Sequence, residues 1–175
     1  KDDRREVIAG GVAVLSAVFE TFGIKEMRPA AGALRVGLLY NILGRRDQHD
    51  TRDTTVAAVL KRTHVDRLQA ARVAGLADKF FIELSDGAPE TESRKILQWA
   101  ASLHETGKMI SPSGYHKHSS YILKNLDLAG FSREDQTTMA TVVLAQRGNL
   151  KKVEEALTNA KLTRMIAAIR LSVFF

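Results

Sequence analysis

Two stretches, Leu103-His104-Glu105-Thr106-Gly107-Lys108 and Gly114-Tyr115-His116-Lys117-His118-Ser119-Ser120-Tyr121-Ile122-Leu123, hold three of the chain's five histidines, a carboxylate and two lysines. Imidazole and carboxylate together suit proton transfer or metal ligation. Lysine beside an imidazole that takes a proton suits an anion. The first stretch ends an apolar helix and the second starts another, with a Gly/Pro/Ser loop over 109–114 between them. A helix-loop-helix corner of this kind gathers polar side chains in one place.

The elements that must position this corner follow from apolar spacing. Asp53 caps a helix with Val56, Val59 and Leu60 inward. Thr63 and Asp66 resemble a capping box for a long helix carrying Leu68, Val73, Leu76, Ala77, Phe80 and Phe81. A helix over 92–104 buries Ile96, Leu97, Ala100, Ala101 and Leu103, with Trp99 at its flank. Another, over 115–126, buries Ile122, Leu123 and Leu126. Met139, Val142 and Val143 mark the next, ending at Gly148. A short helix covers 150–157, and Leu162, Met165, Ile166, Ile169 and Val173 mark the last. That stripe runs to Phe174-Phe175, so the helical part reads as truncated at its C-terminus and the chain as cut at both ends.

Upstream, Glu6-Val7-Ile8-Ala9 reads as a short strand, Gly10-Gly11 as a turn, and Val14 to Phe22 as a helix closed by Gly23. Such a strand-turn-helix presents backbone N–H groups to a phosphate, or serves only to pack a helix on a sheet. A second strand over 24–28 and a helix over 32–44 follow. Residues 45–52 are polar, with His49 solvated, and read as a linker.

The chain has 175 residues, no cysteine and a net charge of +6. The absence of cysteine excludes disulfides and thiolate chemistry and fits a reducing cytoplasm. No apolar run is long enough to span a membrane. Residues 1–44 carry 6 basic and 5 acidic side chains against 20 and 15 in the remainder, so the helical part is the basic one. That excess favours a polyanionic partner. Few aromatic residues sit beside the basic ones, which argues against nucleic acid.

The corner resembles the HD phosphohydrolase superfamily, whose L-H-D-x-G-K motif reads here with Glu105 after His104. It resembles more closely the exopolyphosphatase and guanosine pentaphosphate phosphohydrolase family, with L-H-E-x-G and G-x-H-x-H-S-x-Y-I-L. Ile8-Ala9-Gly10-Gly11, together with the run from Gly32 to Leu43, resembles the end of that family's second actin-like lobe. The resemblance implies a mainly α chain in which a degenerate HD-like helical bundle, 53–175, follows a short α/β remnant of an actin-like lobe, 1–44. It also implies a homodimer. In the HD pattern the early histidine position is Gln69 and the late acidic position falls near Gln146-Arg147, so a metal held by His104, Glu105 and His116 would lack its usual partners. A divalent cation such as magnesium is implied for the parent enzyme rather than for these residues.

Two readings of the corner stay open. His104 and His118 are buried structural groups and Lys108 and Lys117 are solvated, or His104, Lys108, His116, Lys117, His118 and Arg147 form an anion site, with Gly10 and Gly11 on the phosphate side of the other lobe. The leading function is a C-terminal fragment of a hydrolase that releases terminal phosphate from inorganic polyphosphate or guanosine pentaphosphate. No catalytic residue is expected in this fragment, which alone is inactive. The alternatives are a divergent metal-dependent HD phosphohydrolase and a non-enzymatic helical dimerisation module.

Overall fold

A computed structural model describes residues 5–27 and 50–175. These fall in two compact units, one within Lys1–Tyr40 and the other within Asn41–Phe175.

In the first unit a single helix, α1 (Arg5–Phe22), replaces the strand and glycine turn expected over 6–11. A strand needs a neighbour to pair its backbone groups, whereas a helix satisfies its own. Among the described residues no strand is present to pair with, so the segment closes its hydrogen bonds locally, with Gly10 and Gly11 tolerated in the helix interior at about 1 kcal/mol each. The helix ends at Gly23, whose φ of +61° only glycine adopts freely. Residues 24–27 form no regular element, so the second expected strand is not observed there. The expected helix over 32–44 and His49 lie outside the described residues.

Among its described residues the second unit holds six α-helices: α2 (Thr51–Arg62), α3 (Arg67–Glu83), α4 (Thr91–Ser102), α5 (Tyr115–Asn125), α6 (Arg133–Ala145) and α7 (Ala160–Phe174). Two 3-10 segments, Thr106–Met109 and Leu150–Thr158, join them. Helix α4 is the centre of the bundle, packing on α2, α3, α6 and α7. Its Leu97, Ala100 and Ala101, with Leu103 just past its end, are fully buried in one core with Val73, Ala77, Met139, Val143, Ile166 and Ile169, and each large apolar side chain so buried is worth about 1.5–3 kcal/mol. Leu68, expected in the core, is exposed, because it sits in the first turn of α3, beyond the stripe that faces α4 and α7.

Several helix starts differ from their expected positions. Asp50, not Asp53, caps α2 by accepting from the Arg52 N–H at 3.1 Å, so the helix begins earlier than expected, at Thr51. Asp66 itself is the N-cap of α3, while Thr63 closes α2. Trp99 is buried rather than flanking: its indole N–H donates to Asp53 at 2.7 Å, and the Arg52 guanidinium lies 4.2 Å over its ring.

Candidate functional site

The corner is built around Gly107. A Cβ there would lie 2.3 Å from the Tyr115 carbonyl oxygen and 2.4 Å from the Ser119 nitrogen, so glycine alone lets the turn after α4 touch the start of α5. The Gly107 N–H donates to Ser119 Oγ at 2.8 Å, and that hydroxyl donates to the His104 carbonyl at 2.9 Å. Gln146, at the end of α6, donates its amide to the same carbonyl at 3.0 Å. Three elements are thereby pinned to one peptide unit.

His104 is fully buried. Its Nδ1 lies 2.6 Å from the Ala101 carbonyl, and since a carbonyl only accepts, the ring proton is assigned to Nδ1. Its Nε2 is then an acceptor, 3.6 Å from Glu105 Oε1. Burial pushes the imidazole below its ordinary pKa, outweighing the opposing pull of Glu105. Glu105 is itself held by Lys108 at 2.6 Å.

Above this turn opens a pocket of about 800 Å³. Glu105, Lys108, Gln146, Arg147 and Arg170 line its polar side, and Leu171 and Phe174 of α7 its apolar side. Lys108 and Arg147 lie 5.3 and 5.6 Å from the centre of the Tyr115 ring, whose negative face draws both cations to one place. Beside it, His116 is pushed below its ordinary pKa by burial and by Lys152, Lys117, Arg147 and His118. Lys152 is lowered too, by burial, Arg170 and Lys117. Among the described residues no carboxylate is ion-paired with Lys117, Arg147, Lys152 or Arg170. Arg170 and Lys152 donate to carbonyls at the end of α6 and just beyond it, which leaves their charge uncompensated by any acid.

Of the residues expected to act together, Glu105, Lys108 and Arg147 share the pocket, His104 lies behind Glu105, and His116 and Lys117 stand in the adjoining cationic group. His118 is half-buried, with its Cβ facing Gly107, and packs α5 onto the turn. Gly10 and Gly11 lie inside α1, exposed, in the other unit, so the phosphate-binding turn expected of them is not formed. Lys152 and Arg170 join the cluster from elements whose linear spacing gave no sign of it.

The HD-pattern positions do converge, since Gln69, Glu105 and Gln146 line one pocket. They do not fit a divalent cation. Two are amides, the one carboxylate is paired with the Lys108 ammonium, and among the described residues no three His, Asp or Glu side chains come together as ligands. His104, Glu105 and His116 therefore do not form the metal trio entertained above.

Bundle and corner together define a mainly helical domain. Residues 51–175 match the description "Ppx/GppA phosphatase, domain III" and residues 1–46 match "Ppx/GppA phosphatase family", and the chain belongs to that family. It is 39% identical over 153 residues to a guanosine-5'-triphosphate,3'-diphosphate pyrophosphatase of Pseudoalteromonas translucida, covering 86% of this chain and 31% of the relative. It is 33% identical to the proteins of that name from Aeromonas hydrophila, over 97% of this chain and 36% of the relative, and Vibrio cholerae, over 98% and 35%. The chain thus spans about a third of the length of these relatives. Among the described residues no helix is long and apolar enough to cross a membrane.

Proposed function

We propose that the protein serves the hydrolysis of guanosine pentaphosphate, and that its helical domain holds the anionic ligand rather than carrying out the chemistry. The observation that carries this reading is the group of Lys117, Arg147, Lys152 and Arg170 beside His116, with no carboxylate paired to those four cations among the described residues. Four cations gathered from α5, the end of α6, a 3-10 segment and α7 repel one another, and an anion with several charges relieves that repulsion. The names of the relatives supply the substrate, and inorganic polyphosphate shares the chemistry that these cations would meet.

The corner itself offers no nucleophile and no ligand set for the divalent cation that phosphoanhydride hydrolysis requires. Its residues bind and orient. The test measures binding and phosphate release on the same chain, with magnesium present. Binding of guanosine pentaphosphate without release is expected. Release that disappears in His104→Ala would instead favour a divergent HD phosphohydrolase.

A further inference from the structure

The pocket above Glu105 combines groups that a bare polyanion does not need together. Lys108, Arg147 and Arg170 bring positive charge into it. Glu105 lines the same space, and a carboxylate there repels any ligand that offers only acceptors. Two more acceptors lie buried at this place without a partner among the described residues: Gln146 Oε1, whose side chain also lines the pocket, and His104 Nε2, 3.6 Å from Glu105 Oε1. Both residues are at least nine-tenths buried, and an unpaired acceptor in such a place is costly. The other atoms of these side chains are committed, Nδ1 of His104 to the Ala101 carbonyl and the Gln146 amide to the His104 carbonyl. What remains under the cationic rim is one carboxylate and one unpaired amide oxygen lining the pocket, with the His104 acceptor buried behind Glu105.

An anion with a hydrogen-bond donor of its own satisfies both halves. We propose that this pocket binds phosphate in a protonated form, as free orthophosphate or as the protonated end group of a phosphate chain, its P–O–H donating to Glu105 while Lys108 and Arg147 hold the remaining oxygens. The carboxylate is able to accept this bond because Lys108 occupies only part of its lone-pair capacity. The inference rests on the anion-binding reading of the corner and adds a selection rule, since a phosphate must bring a proton to be accepted here.

The test compares inorganic orthophosphate with sulfate at about pH 6, near the second ionisation of a phosphate end group. Sulfate has no proton to donate yet carries more negative charge, so attraction by cations alone favours sulfate. Orthophosphate is expected to bind this chain at least about tenfold more tightly than sulfate, the worth of one charge-assisted hydrogen bond. Glu105→Gln, checked for unchanged helix content by circular dichroism, is expected to bring that ratio close to one by removing the repulsion of sulfate. Lys108→Ala is expected to weaken both anions together. Linear tripolyphosphate and cyclic trimetaphosphate, which has no end groups, then distinguish the two sources. Displacement of orthophosphate by the linear form only assigns the pocket to chain ends, and displacement by neither assigns it to free phosphate. Equal or tighter binding of sulfate by the unmodified chain, or a ratio unmoved by Glu105→Gln, overturns the inference. If long polyphosphate still binds in a salt-sensitive manner in that case, the anion-binding reading survives; if it does not, both fall.

Discussion

His104 carries its proton on Nδ1 and resists a second one, and this makes the corner sensitive to acid. Burial holds its folded pKa below the ordinary value near 6.5. The unfolded chain therefore binds more protons than the folded one once the pH falls below about 6.5, and stability declines in that direction. Chemical denaturation of the chain between about pH 7 and pH 5 should show this decline, and His104→Gln should flatten it. Gly107→Ala should be far more damaging than an exposed glycine substitution, because its Cβ would meet two backbone atoms of α5. A loss of about 3 kcal/mol is expected, read from the denaturation midpoint; wild-type stability would mean that the turn and α5 are not in contact. Both residues were legible in the sequence through the L-H-E-x-G motif. The HD resemblance also pointed to Gln146, but Arg170 was not legible, because what makes it part of the site is its approach across 65 residues from Glu105.

At the scale of elements, helices with a clear apolar stripe were readable and their junctions were not. The bundle from α3 to α7 follows the expected spacing of Val73, Ala77, Leu97, Leu123, Val142 and Ile169. The polar run before it reads as a solvated linker, yet its Arg52 is almost completely buried, bonded to Asp50 at 2.9 and 2.8 Å, paired with Glu92, and laid over Trp99. Charge in a sequence suggests exposure until a partner forty positions away is known. Burial alone would raise the Asp50 pKa, but hydrogen bonds from the Arg52 side chain and backbone and from Lys95 outweigh it and hold it well below the usual carboxylate range. The stabilisation is complete above the unfolded value near 3.9 and is lost as acid protonates Asp50. Arg52→Ala should cost about 3 kcal/mol at neutral pH, since it leaves a buried carboxylate with Lys95 as its one cation among the described residues, and the difference between variant and parent should shrink in strong acid. An equal difference at all pH values would show that the guanidinium acts by packing alone. For α6, Ser132 and Asp135 form a reciprocal capping box at 3.0 Å each way, and Ser132→Ala should lower stability by about 1 kcal/mol in thermal unfolding.

Over the whole molecule, the uneven charge already visible in the sequence becomes a located feature. Part of the basic excess of the helical part, Lys117, Arg147, Lys152 and Arg170, comes together where α5, the end of α6, the 3-10 segment Leu150–Thr158 and α7 meet. Composition suggests only the sign of a partner's charge, and the fold shows where four cations lie with no paired carboxylate among the described residues. The proposed function requires that this place bind a polyanion by charge. The direct measurement is the affinity of the chain for polyphosphate at several salt concentrations, for the parent, for Lys117→Ala with Arg147→Ala, and for Lys25→Ala in the other unit. By analogy with counterion release, each neutralised phosphate adds about one unit to the slope of log affinity against log salt. The double variant should bind more weakly at low salt with a slope reduced by up to about two units, while Lys25→Ala should match the parent. An unchanged affinity and slope in the double variant would contradict the account and leave the corner a purely structural junction.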